Sequence, residues 1–214
     1  MRNEKSSKIA TIFTVAEKLP FFTIDDLTSM ETDRQYLRVL LSRSIKSGRA
    51  VRLKKGMYVA GDYVHRMETS GAISAYPEFL SGTLYAPSYV SLEYILYKHN
   101  ILTDVPVNFT AVTLKKTASF SNTFGTFIYH TIRNDLFTGY THVREGGFTF
   151  LRASKAKALF DYCYFRKNTI ADRRAVDELR LNLGEFESRD RKELALYINK
   201  EGSKKMKEIY RYLF

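Results

Sequence analysis

Residues 33–59 read Asp33-Arg34-Gln35-Tyr36-Leu37-Arg38-Val39-Leu40-Leu41-Ser42-Arg43-Ser44-Ile45-Lys46-Ser47-Gly48-Arg49-Ala50-Val51-Arg52-Leu53-Lys54-Lys55-Gly56-Met57-Tyr58-Val59. At about 100° per residue, Leu37, Leu40, Leu41, Ser44 and Ile45 fall on one arc of a helix. Gln35, Arg38, Val39, Ser42, Arg43 and Lys46 fall on the other, with Arg34 at the start. Thr32 or Asp33 is expected to cap the helix, which should run to about Ser47 and end at Gly48, where a left-handed residue is wanted. Arg49 to Leu53 then reads as a short strand, Lys54-Lys55-Gly56 as a turn, and Met57 to Val59 as a second strand, which is a hairpin signal.

Upstream, Ile9, Ile12, Phe13, Ala16 and Leu19 keep helical spacing until Pro20 stops them. Thr23 is expected to cap a short second helix with Asp25 and Asp26 in its first turn, where the macrodipole favours acids, and Ile24 and Leu27 turned inward. Ser29-Met30-Glu31-Thr32 reads as a turn. Helix, helix, turn, helix and basic hairpin is the order of a winged helix-turn-helix, expected over residues 1–61.

Such a domain lays its third helix in the major groove. Arg34, Gln35, Arg38 and Ser42 are placed for base edges; Arg43, Lys46, Arg52, Lys54 and Lys55 for phosphates. Double-stranded DNA is the expected partner. An amphipathic helix with a solvated basic face is also common in proteins that never touch DNA, and winged helices serve as protein-interaction modules too. The basic hairpin directly after the helix favours DNA.

Charge placement agrees. The 214-residue chain carries a formal +11. Residues 1–61 hold twelve Lys/Arg against six Asp/Glu, residues 62–152 seven against seven, and residues 153–214 fifteen against ten. Two basic ends around a neutral middle suggest a polyanion partner touching the ends. The one cysteine, Cys163, excludes an intrachain disulfide and a cysteine-based zinc site, and its apolar surroundings suggest a small buried residue. Met1-Arg2-Asn3-Glu4-Lys5 leads into no apolar signal region, and no run approaches the roughly 18 apolar residues of a membrane span. A soluble cytoplasmic protein is expected, with no membrane partner.

Residues 62–85 read as a connector, because Asp62, His65, Arg66, Glu68, Ser70 and Gly71 break any apolar stripe and Gly82 ends a second small helical stretch. Over residues 86–214, Pro87-Ser88 is expected to cap a helix from about Tyr89 to Asn100. Strands are expected at 107–114 and 125–132, and a hairpin around Gly146-Gly147. A helix should run from Ser154 to Arg166, with two or three more from about residue 171. The fold class expected for the whole is α+β.

Signs of catalysis are absent. His65, His99, His130 and His142 show no metal-ligand spacing, and Gly146-Gly147 is too short to cradle a phosphate. Asp161, on a helix among apolar residues, reads as a capping or salt-bridge carboxylate. Neither an enzyme, nor a cofactor, nor a metal is expected.

Residues 86–102 read Ala86-Pro87-Ser88-Tyr89-Val90-Ser91-Leu92-Glu93-Tyr94-Ile95-Leu96-Tyr97-Lys98-His99-Asn100-Ile101-Leu102. With Asn122 to Tyr129, Phe137-Thr138-Gly139, and Ala153 followed by Lys157-Ala158-Leu159-Phe160-Asp161, this resembles the AbiE-type (AbiEi-like) antitoxin family, over about two-thirds of the chain. The resemblance implies a transcriptional regulator of a type IV toxin–antitoxin, abortive-infection operon that acts in phage defence. It would bind inverted repeats in its own promoter through its N-terminal domain. Its larger domain would counteract a nucleotidyltransferase-like toxin, usually without a stable complex. The chain departs where a Pro-Glu usually precedes the Lys-Ala-Leu stretch: Lys155-Ala156 stands there, making that helix start more basic, as a second polyanion contact would. Within Tyr89 to Glu93, Ser91 is expected to serve the helix N-terminus and Glu93 to pair with a basic neighbour, while Leu92, Ile95 and Leu96 are core. The alternatives are a protein-interaction inhibitor that sequesters its toxin directly, with the winged helix as scaffold, and a nuclease or nucleotide-modifying enzyme.

Overall fold

The computed structural model describes residues 2–214, with side chains from residue 9 onward. The chain forms two compact units: Met1–Tyr76 with Phe120–Gly125, and Pro77–Ser119 with Thr126–Phe214. Both helix and strand contribute, so the fold is mixed α+β.

In the first unit, helix α1 (Arg2–Ala16) is followed by a two-residue strand β1 (Phe22–Thr23), a single 3-10 turn (Asp25–Leu27) and helix α2 (Arg34–Lys46). Strands β2 (Ala50–Lys54) and β3 (Met57–Ala60) then lead into α3 (Gly61–Ser70). The sheet order is β1-β3-β2, antiparallel throughout, with Val51 opposite Val59 and Phe22 opposite Tyr58. Ile12, Phe13 and Ala16 of α1 meet Phe22, Leu27, Leu37, Leu40, Leu41, Ala50 and Ala60 in one core.

The short second helix expected after Thr23 is reduced to that one 3-10 turn. Phe22 is fully buried and tied to Tyr58 across the sheet, which draws Thr23 into the strand. The capping is also reversed, because the Asp26 carboxylate accepts from the Thr23 backbone N–H (2.7 Å) and hydroxyl (2.8 Å).

The stretch read as a connector carries two helices, α3 and α4 (Tyr76–Leu84), around a left-handed Gly71 (φ +76°). The boundary between the units falls inside α4, after Tyr76. Met67, Tyr76 and Leu80 are buried, and the Tyr76 hydroxyl donates to the Pro20 carbonyl (2.6 Å). Segment Phe120–Gly125 completes the first unit. Asn122 donates its amide to the Leu53 carbonyl (3.0 Å), and Phe124 meets the Tyr76 ring edge-on at 4.9 Å.

The larger sheet holds β4 (Ser88–Val90), β5 (Asn108–Thr113), β6 (Ala118–Asn122), β7 (Gly125–Thr131), β8 (Tyr140–Glu145) and β9 (Phe148–Ala153), all of the second unit except Phe120–Asn122 and Gly125. Their order is β6-β7-β5-β4-β9-β8, with β5/β7 and β4/β9 parallel. Helix α5 (Leu92–Lys98) follows β4. Helices α6 (Lys155–Arg166), α7 (Arg173–Asp177), α8 (Ser188–Glu201) and α9 (Lys204–Leu213) follow β9.

The helix expected from Tyr89 begins only at Leu92. Ser88, Tyr89 and Val90 are all buried and pair with Thr113, Val112 and Ala111, so Tyr89 and Val90 lie inside a sheet. Strand β6 has no counterpart in the sequence reading, because Ala118-Ser119-Phe120-Ser121-Asn122 lacks the β-branched run that marked its neighbours.

Helix α6 is enclosed on every side, with Ala156 through Cys163 all buried, and it packs on α5, α8 and α9. Burial pushes the Cys163 thiol up to about 12, which fits an unreactive core position. Lys157 and Asp161, one turn apart on α6, are both fully buried and paired at 2.7 Å. The Asp161 carboxylate also accepts from the Ser91 hydroxyl (2.7 Å) and the Tyr89 hydroxyl (3.1 Å). The Lys157 ammonium donates to the Leu136 carbonyl (2.9 Å) and lies 4.4 Å from the centre of the Phe160 ring. Burial raises the Asp161 pKa and lowers that of Lys157, and the ion pair between them opposes both shifts.

Around this pair Tyr89 stacks on Tyr140 (4.7 Å). Gly139 (φ +78°) passes so close that a Cβ there would lie 2.3 Å from the Tyr197 hydroxyl oxygen. Ser91's hydroxyl therefore serves Asp161, not the helix N-terminus, where it makes no capping bond. Glu93 pairs with Arg166.

Asp161→Leu alone leaves a buried ammonium without its counterion and should cost about 3–5 kcal/mol in urea unfolding, whereas Lys157→Met/Asp161→Leu should cost far less. A double variant as unstable as the single one would contradict this account of the pair.

Candidate nucleic-acid interface

Helix α2 owes its start to Asp33, whose carboxylate accepts from the backbone N–H groups of Gln35 (2.9 Å) and Tyr36 (3.0 Å). These are two of the donors that a helix N-terminus leaves open. Leu37, Leu40, Leu41 and Ser44 are buried, and the Ser44 hydroxyl donates back to the Leu40 carbonyl (2.9 Å). Arg43 and Lys46 occupy the last turn, where the macrodipole favours cations. Gly48 (φ +74°) reverses the chain into β2.

The outer face of α2 is as expected from the period: Arg34, Gln35, Arg38, Val39, Ser42, Arg43 and Lys46 are all exposed. No Asp or Glu lies between residues 34 and 46. Three members, Arg34, Gln35 and Arg38, are engaged within the chain. Arg34 pairs with Asp25 at 2.6 Å, both side chains being more than half exposed, and the Arg38 guanidinium stands 3.5 Å from the Gln35 side-chain oxygen. An exposed ion pair is worth about 0–1 kcal/mol, so Arg34 can exchange Asp25 for another acceptor at little cost. A groove of about 670 Å³ runs beside this face, lined among others by Gln35, Tyr36, Val39, Arg43 and Arg49.

Strands β2 and β3 turn through Lys55 and a left-handed Gly56 (φ +81°), with a bulge between Arg52 and Lys54. Arg52 and Lys55 are exposed. Lys54 is half-buried, its ammonium 5.8 Å from the centre of the Phe120 ring. The two lysines at the turn therefore have different surroundings, which their adjacency in sequence conceals. Arg49 and Val39 join the surface without having been singled out as site residues. Arg49 stands immediately after the helix-ending glycine, a position that could have marked it; it is exposed and packs its guanidinium over Phe13 at 5.3 Å.

Among the described residues no group of three or more His, Cys, Asp or Glu side chains could hold a metal ion. Lys155, the basic departure at the start of α6, is paired with Asp190 at 2.7 Å and only 16% of its side chain is exposed, so its charge is answered within the chain. A second buried carboxylate, Glu78, accepts two bonds from Arg152 (2.6 and 2.9 Å), with Lys98 and Tyr94 beside it. The second unit also holds a cavity of about 630 Å³, lined by Glu93, Asp104, Glu178, His130 and Tyr162 and by apolar residues that include Val105 and Val107. Burial lowers the His130 pKa, which favours its neutral form.

Asp33→Ala removes both N-cap bonds and should lower unfolding stability by about 1 kcal/mol, while Asp33→Asn or Asp33→Ser should recover most of it. Equal losses for all three in thermal unfolding would exclude the cap as the cause. No family model matches the chain, and no curated protein matches it.

Proposed function

We propose that this chain is a DNA-binding antitoxin and autorepressor of a toxin–antitoxin operon, acting in the cytoplasm. The first unit would be a winged helix-turn-helix in which α2 enters the major groove and the β2–β3 hairpin is the wing. The observation that carries this is the outer face of α2: an exposed, acid-free helical surface of Arg, Gln, Ser and Lys, followed at once by a hairpin with an exposed Lys55 at its turn. Arginine and glutamine there match purine edges, and the flanking cations match phosphates. The second unit would counteract a nucleotidyltransferase-like toxin, as the antitoxin resemblance implies, and no catalytic role is proposed for it. Among the described residues no helix is long and apolar enough to cross a membrane.

A second reading is favoured by a separate observation. Val105 and Val107, which line the cavity of the second unit, are 70% and 90% exposed, the most open of its large apolar side chains. They suit a protein contact, and with it an inhibitor that sequesters its toxin directly while the first unit serves as scaffold. A stable complex with the neighbouring gene's product by size-exclusion, abolished by Val105→Ser/Val107→Ser, would select this reading.

The test of the leading proposal is binding to the DNA just upstream of its own gene, against scrambled DNA, across a salt series. Lys55→Ala should reduce the salt slope by about 1 and weaken binding evenly across sequences, whereas Arg38→Ala should cost about 1–3 kcal/mol on the upstream DNA only. Lys54→Ala should act more weakly than Lys55→Ala, since its ammonium already lies over Phe120. Affinity and slope unchanged in all three variants would remove α2 and the hairpin from the interface.

A further inference from the structure

Val39 does not fit the surface it occupies. It is 40% exposed in the middle of α2, where a β-branched side chain lowers helix propensity and half-exposure forfeits much of the gain from burial. Its neighbours at helical spacing on the outer side are Gln35, Ser42 and Arg43, all exposed hydrogen-bond donors. A lone exposed valine on a protein surface is ordinary. One in the middle of a donor-rich, acid-free helix face has a specific counterpart. The floor of the major groove offers acceptors and donors on every base pair and one apolar feature, the C5-methyl of thymine.

We infer that Val39 is a specificity-determining residue that packs on a thymine methyl, with Gln35 and Arg38 reading the bases beside it. This rests on the DNA-binding reading above and narrows it from a charged surface to a sequence element containing thymine. Val39 is six residues into α2, about 8 Å along the axis from its first residue, within the N-terminal half of the helix that meets base edges in helix-turn-helix docking. The electrostatic complement is in place, because Arg38, Arg43 and Lys46 flank the valine with no carboxylate on the helix.

The test uses the full chain. A preferred duplex is selected from a randomised pool, each thymine in it is replaced in turn by deoxyuridine, which lacks only the methyl, and affinities are measured at fixed salt. Wild type should lose about three- to fivefold at one thymine per recognition element, the equivalent of one buried methyl. Val39→Ser should bind thymine and uracil equally at that position with its salt slope unchanged, and Val39→Thr, which keeps one methyl, should retain part of the preference. At 40% exposure the position has little burial to lose, so the variants should melt within about 4 °C of wild type. If wild type tolerates uracil everywhere, or Val39→Ser keeps the same thymine preference, the inference fails while base reading by Arg38 still stands. If Val39→Ser instead alters the oligomeric state by light scattering, the valine belongs to a contact between copies and the inference also fails. If no duplex is selected, DNA reading itself falls, and this inference with it.

Discussion

The carboxylate of Asp161 is the point on which the second unit turns. It has no exposure to water, and Lys157, Ser91 and Tyr89 each donate a hydrogen bond to it. Each of those groups is fixed by a different element: Tyr89 by β4, Ser91 by the β4–α5 junction, Lys157 by α6 itself. A buried ion pair is weak as a source of net stability but strict as a condition on geometry, since any rearrangement that separates its members strands a charge. Two sequence segments that lie far apart, residues 89–91 and 157–161, therefore have to meet in one way. The close approach of Tyr197 and Lys157 to Gly139 adds a steric condition of the same kind.

The first unit obeys a different logic. Its core is apolar, and the polar interactions that shape α2 and its approach are local: Asp33 under the start of α2, Asp26 over Thr23, and glycines at the reversals. Local devices of this sort hold a helix in place while leaving its outward side chains uncommitted. That suits a surface whose partner supplies the missing contacts. Where the outward groups are already engaged, as with Arg34 on Asp25, the engagement is exposed and cheap to exchange.

Periodicity and punctuation carried most of the legible structure. The inward arc of α2, its Asp33 cap, the Gly48 reversal, the β2–β3 hairpin and the Ser154 start of α6 all follow from spacing and capping rules within a few residues. What was illegible depends on partners remote in sequence. Tyr89 carries a helix-compatible pattern into a strand because Val112 lies beside it, and Thr23 is drawn from a helix start into a sheet by the pairing of Phe22 and Thr23 with Tyr58 and Met57. In the candidate interface, exposure could be read from the helix period, but the difference between Lys54 and Lys55 could not. It arises from Phe120, a residue 65 positions after Lys55 in the chain.

Phe120 to Gly125 give the first unit an unusual property. Its sequence is interrupted, so no single cut of the gene yields the whole of it. A fragment ending at residue 76 would lose the amide that satisfies the Leu53 carbonyl and the ring that covers Tyr76. Evolution by shuffling such a unit onto another protein would have to carry two stretches of coding sequence at once. Recombination should therefore leave this N-terminal module attached to the sheet-bearing half of its own chain more often than it would a continuous one.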